Sequence, residues 1–140
     1  MNKIQQIIDD NNILVLREDI KEEFKINGLF IDVANKPIIV LNKKLSDRKE
    51  ELTLAEEVAH FCVGVTPTLP FANDYYNKLV RSKNEFKAFK WLQGNLLPLG
   101  VENSKNDTIW DLSDRFQLPV EFVEKVIEYR KENYNGCSSY

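Results

Sequence analysis

The sequence predicts an α+β fold, and three observations carry that prediction. Short runs rich in Ile, Val, Leu and Phe cluster between residues 13 and 42, where they suit strands. The chain beyond residue 46 shows helical spacing of its apolar residues instead. The resulting order, one helix, a small sheet and then four helices, is an α+β pattern. At 140 residues, with 43% hydrophobic and 29% charged residues, the chain can bury a core of ordinary size.

The elements follow in order. Ile4, Ile7 and Ile8 lie on one side of a short amphipathic helix over the first dozen residues. ILVL (13–16), GLFIDVA (28–34) and PIIVLN (37–42) are the strands. Asn35-Lys36 makes a hairpin turn between the last two, and Pro37 suits an edge position better than a central one. Ser46 caps the next helix, which has Asp47 and Glu50 near its positive end and Gly64 as its stop. VTPTLPFANDYY (65–76) reads as a loop, followed by a longer helix from Asn77 to Leu97 that ends before Pro98. DTIWDLSDRFQL and PVEFVEKVIEYRKE complete the chain as two helices, with Pro119 opening the second. One domain is therefore expected over 1–132, with a C-terminal helical pair at 104–132 and a flexible tail at 133–140.

Composition excludes several classes of function. A formal charge of −3 disfavours a broad nucleic-acid footprint, which needs clustered Lys and Arg. No apolar run approaches the ~20 residues of a membrane span. The start, MNKIQQIIDDNN, has acids where a signal peptide would be apolar, so export is not expected. Cys62, read as buried, and Cys137, in a polar tail, suggest no disulfide framework and suit a cytoplasmic location. His60 is the single histidine, so a His-rich metal site is ruled out.

The stretch LTLAEEVAHFCVG (52–64) is the most informative in the chain. At about 100° per residue, Glu56 and His60 fall roughly 40° apart on the wheel and Glu57 about 100° from Glu56. The remaining arc is wide and apolar, as for a helix packed on most sides whose polar strip faces a cleft. On the next helix, Ala88, Phe89, Leu92 and Leu96 form a stripe that Glu85 begins. A carboxylate on a core-facing stripe is costly unless a cation or donors meet it. The bland reading is that Glu85 reaches solvent or pairs with Arg81 one turn earlier. Taken together, Glu56, His60 and Glu85 have the spacing of three metal ligands that leave a fourth position open, and Glu57 is placed as general base. The sheet edge at PIIVLN is expected to hold an extended peptide by strand addition.

These segments resemble a known family. LTLAEEVAHF is similar to the T-L-A-H-E-x-x-H core of the ImmA/IrrE metallo-endopeptidases, with Glu56 at the first histidine. Glu85-x-x-Ala88-x-x-Trp91, running to L-L-P at Pro98, resembles that family's second motif, and 110–129 is similar to its closing helical segment. The resemblance covers residues 28–132. It implies a zincin-like α+β fold, a zinc ion held by Glu56, His60 and Glu85, Glu57 as general base, and a protein substrate. For phage and mobile-element members that substrate is a helix-turn-helix repressor. Glu56 is the departure: two carboxylates make a Zn²⁺ site formally neutral, polarise a carbonyl less, and move preference toward Mn²⁺ or Fe²⁺. Without metal, Glu56, Glu57 and Glu85 crowd together, and at least one should take up a proton. Asp74, Tyr75 and Tyr76 stand between the two motifs as further candidates, for a substitute ligand or an oxyanion donor.

Two other readings compete. One is a pseudo-protease that keeps the fold as a protein-binding module. The other takes DLSDRFQLPVEFVEK as a helix-turn-helix, but Glu121, Glu124, Glu128 and Glu132 oppose the cations Lys125, Arg130 and Lys131, so DNA binding is not expected. Trp91, Trp110 and the Phe residues read as core.

Overall fold

The computed structural model describes residues 2–64 and 73–137, with side chains at all of these positions except 2, 74 and 134–137. The N-terminal helix α1 (Asn2–Asp10) buries Ile4 and Ile8. Three strands follow, β1 (Leu14–Glu18), β2 (Gly28–Val33) and β3 (Lys36–Asn42), and then helices α2 (Asp47–Val63), α3 (Asp74–Leu96), α4 (Ile109–Phe116) and α5 (Val120–Cys137). The α+β class is as the sequence predicts. Among the described residues no helix is long and apolar enough to cross a membrane.

The sheet order is β1-β3-β2, with β1 parallel and β2 antiparallel to β3. Val33 pairs with Lys36, so the hairpin turn is Ala34-Asn35, one residue earlier than expected. Both turn residues have positive φ (52 and 64), the conformation a two-residue turn needs to match the strand twist. The expectation that Pro37 marks an edge is also overturned, because β3 is central. The ladder explains the exception. Asn42 donates to Asn27 O, and the alternation from that pair leaves Pro37 opposite Asp32 at a non-bonded position. Its nitrogen therefore faces β1, whose pairing begins only at Ile38. The missing N–H is not needed there.

Ile39 and Leu41 point from β3 into the core beneath α2, both fully buried. The opposite face of the sheet is open and carries Leu14, Leu16 and Leu29 exposed. Helix α2 packs on β2, β3 and α3. Its approach to β2 is close: a methyl added to Gly28 would stand 2.6 Å from Thr53 Cγ2. Ser46 occupies the N-cap without a side-chain cap bond, and Gly64 ends the helix at φ 75. Cys62, expected in the core, is exposed, and so is Trp110 (63%). Cys62 is in the last turn of α2, next to the helix stop, while Trp110 is in the first turn of α4.

Helix α3 begins at Asp74, capped by Asn73, which accepts from Tyr76 N at 2.8 Å. Asp74, Tyr75 and Tyr76 are thus helical rather than part of a loop; residues 65–72 of the expected loop lie outside the described residues. Helix α5 continues to Cys137, beyond the expected end at 132, and 138–140 lie outside the described residues.

The C-terminus of α3 is tied to α5 by Arg130, which is completely buried. Its Nε donates to Gln93 Oε1 (2.7 Å), Nη1 to Pro98 O (2.8 Å) and Glu102 Oε1 (3.0 Å), and Nη2 to Gln93 O (2.9 Å) and Leu97 O (2.7 Å). All five guanidinium N–H groups are therefore used, and they meet the end of α3 at Gln93, the Leu97 and Pro98 carbonyls just beyond the helix, and the Glu102 carboxylate. Arg130 is a structural residue, not a phosphate contact. Burial raises the Glu102 carboxyl, but its own backbone N–H, the hydrogen bond and charge of Arg130, and the Gly100 N–H together hold it below its usual 4.5.

Three outcomes follow from this packing. Gly28→Ala should cost about 1–3 kcal/mol in urea unfolding, with Thr53→Ser, which removes the clashing methyl, restoring most of the loss. Arg130→Met should cost about 3–5 kcal/mol, since it strands Glu102 and three carbonyls. Glu102→Gln tests the pH sign. A depressed carboxylate stabilises the fold above its unfolded pKa, so the wild-type advantage should be full at pH 7 and shrink as pH falls below 4.5. An advantage that grows in acid would contradict the assignment.

Candidate metal centre

The two motif helices meet at one pair of side chains. His60 Nε2 on α2 lies 3.3 Å from Glu85 Oε1 on α3. The Glu85 side chain is 67% exposed and so reaches solvent, as the bland reading has it, while its partner is His60, the only histidine, rather than Arg81. The His60 ring is buried at 9% exposure, and its Nδ1 has no hydrogen-bond partner among the described residues. A buried ring nitrogen without a partner is uncommon. Packing fixes the ring so that only Nε2 is presented to polar chemistry.

Glu56 and Glu57 sit one turn earlier on α2, both half-buried. Glu56 and Glu85 line a small cavity of about 50 Å³, walled on its apolar side by Phe89, Leu92 and Phe122 and closed by Lys125 from α5. A larger open cavity of about 770 Å³ runs between α3 and α5 and shares Glu85, Phe89 and Lys125 with it. Tyr75 and Tyr76 are exposed in the first turn of α3, roughly 13 Å along the helix axis from Glu85, and are not brought to the pair. The side chain of Asp74 lies outside the described residues.

The electrostatics follow from three carboxyls and one imidazole in a half-buried space. Burial pushes Glu56 up, Glu85 adds to the rise, and His60 and Lys125 oppose it. Burial also carries Glu57 to about 7, against His60 and with Glu56 and Glu85. The hydrogen bond that His60 donates to Glu85 raises His60 against the effect of burial, and the neighbouring carboxylates add to the rise. Glu85 is lowered by that same hydrogen bond, against burial, with help from the charges of His60 and Lys125. The crowding thus favours a proton on Glu57, as carboxyls held this close require.

The donors were tested against a divalent ion by spacing and by chemistry. Two ligands at ~2.0–2.1 Å from one tetrahedral ion stand roughly 3.3–3.4 Å apart, and His60 Nε2 and Glu85 Oε1 are 3.3 Å apart. One imidazole with carboxylates is a donor set for Zn²⁺ or for the harder Mn²⁺ and Fe²⁺. The pair fits. Among the described residues, however, no three His, Cys, Asp or Glu side chains gather closely enough to hold an ion as they stand. Glu56 lines the cavity beside Glu85 without closing the third position.

Sequence reasoning singled out Glu56, Glu57, His60 and Glu85 and missed Lys125 as part of the same site. The signal was present: Lys125 falls between Phe122 and Tyr129 on the face of α5 that meets α3, as Glu85 falls on the stripe of α3.

Comparison with known proteins agrees with the motifs. A family model described as Peptidase_M78, IrrE N-terminal-like domain, matches residues 8–128, which include all four of these positions and Lys125. No curated protein and no solved structure matches the chain.

Proposed function

The chain belongs to the Peptidase_M78 family of IrrE N-terminal-like domains, a metallopeptidase family that implies a metal cofactor, and on that premise we propose that it is a metal-dependent endopeptidase of protein substrates. The substrate class that the motif resemblance favours is a helix-turn-helix repressor of a phage or integrative element. The observation that carries the proposal is the convergence of α2 and α3 at His60 and Glu85, with their donors at ligand spacing.

Glu56, His60 and Glu85 would hold the ion. When bound, it would polarise the scissile carbonyl and acidify water. Glu57 is the group that moves protons. Beside the first ligand position, it is placed to accept a proton at Oε and return it to the leaving amine nitrogen. The apolar wall of Phe89, Leu92 and Phe122 excludes water from one side of the small cavity. An extended substrate would not add at PIIVLN, because that strand is central; the open edges are β1 and β2, and β2 packs against α2. Strand addition along the outer edge of β2 would lay a peptide beside the motif helix.

A second reading, a binding module without turnover, is favoured by the third donor position not being closed. Metal per chain, measured by elemental analysis on untagged protein purified without chelator, should be near one and should be lost in His60→Ala. Glu57→Gln should keep the metal and lower cleavage by at least ~100-fold, the scale of a lost general base. Metal-free protein in which Glu57→Gln leaves the biological activity intact would establish the binding module instead.

A further inference from the structure

Among the described residues, Lys125 is the cation common to three cavities beside the site. It shares the cavity of about 50 Å³ with Glu56 and Glu85, one of about 350 Å³ with Glu56, and one of about 770 Å³ with Glu85. The residue is exposed, but its Nζ lies 4.6 Å from the centroid of the Phe89 ring. Phe89 is itself buried and packs edge-on against Phe122 and Tyr129. A cation over a fixed aromatic face is held in place rather than left to sample solvent. The groups it faces across the small cavity are the carboxyls of Glu56 from α2 and Glu85 from α3.

We infer that Lys125 is a built-in counter-cation of the site, balancing the extra carboxylate at position 56, so that it stabilises the metal-free chain and weakens the grip on a divalent ion. The inference rests on the metal site proposed above. The charge arithmetic is direct. Glu56, neutral His60 and Glu85 carry −2, whereas a histidine at position 56 would leave −1. The ammonium of Lys125 brings the set back to −1. Attraction to two carboxylates and repulsion from a divalent ion act through the same charge, so the two effects of Lys125 have opposite signs. That opposition separates a counter-cation from a residue that merely packs on Phe89.

The test uses Lys125→Met, which keeps the stem over Phe89, with Lys125→Arg as the charge-conserving control and Lys125→Gln as a second neutral variant. Zn²⁺ and Mn²⁺ affinities would be measured by competition with a chromophoric chelator, and unfolding midpoints in EDTA. Lys125→Met should bind either ion roughly three- to tenfold more tightly at low salt, yet unfold earlier in EDTA. Both differences should fade toward 1 M salt, where the Debye length is about 3 Å. In a Glu56→Gln background the EDTA penalty should largely vanish, and Lys125→Arg should track the wild type throughout. Equal metal affinity in Lys125→Met and wild type would overturn the inference, as would an EDTA penalty that Glu56→Gln leaves unchanged. If no variant takes up either ion, the metal site itself is lost, whereas the cycle in EDTA still decides whether Lys125 balances Glu56.

Discussion

The guanidinium of Arg130 is the constraint on which the site depends. A buried charge is tolerated only when every donor is met, and here five N–H groups meet five oxygens drawn from Gln93, Leu97, Pro98 and Glu102. Those acceptors are the end of α3 and the 3₁₀ turn just beyond it, so the bond set fixes α5 against α3 in both rotation and register. Five residues before Arg130 stands Lys125, and two to three turns before Gln93 stands Glu85. Their meeting at one cavity is therefore set from the far end of the two helices. A single apolar contact would allow sliding; a fully satisfied fork does not.

Helix α2 is held from the other side. Gly28 brings β2 against Thr53, and Ile39 and Leu41 fill the space beneath Ala55, Val58 and Ala59. Small residues at 55 and 59 allow the close approach, and that approach leaves little freedom to turn the helix. The polar strip of Glu56, Glu57 and His60 is consequently fixed toward α3 rather than toward bulk water. Arg17 on β1 and Arg48 within α2 add ties to Glu50 (2.6 Å) and Asp114 (3.1 Å). These are exposed pairs, and they contribute less than the packing.

Much of this was legible in the sequence, and the losses have physical causes. The apolar arc of α2 and the stripe of α3 are periodic over long helices, so their buried faces could be read directly. Glu85 stood out because a carboxylate interrupts its stripe. The same logic applied to α5 would have marked Arg130, which follows Val123 and Val126 at helical spacing, but it was counted among the surface cations. Lys125 is a surface cation, as it was read, and only its place beside Glu56 and Glu85 was missed. The strand errors are of another kind: Pro37 is excluded from a central strand only where its nitrogen faces a partner, and pairing begins one residue later. Cys62 and Trp110 show the limit of composition as a guide to burial, since both are apolar residues left exposed.

Glu56 stands where the motif resemblance expects a histidine, and on that reading the difference is a change in charge that involves more than one residue. Burial is the largest cause of the rise at Glu56 and at Glu57, and neighbouring carboxylates add to it, with Glu57 carried to about 7. A proton on Glu57 would remove the base just where it is required. A divalent ion reverses that tendency, because its charge lowers every carboxyl around it. Lys125 acts in the same sense on Glu56 and Glu85, though not on Glu57, and without needing an ion to be present. On the proposed reading the carboxylate-rich site would be coherent only as a set: His60 and Glu85 would supply the donor pair, Glu56 the charge, and Lys125 would limit how much of that charge goes uncompensated. A centre balanced in this way would favour an ion that tolerates oxygen donors over one that needs imidazole, so that the chemistry of position 56 would weigh more on metal identity than on the fold.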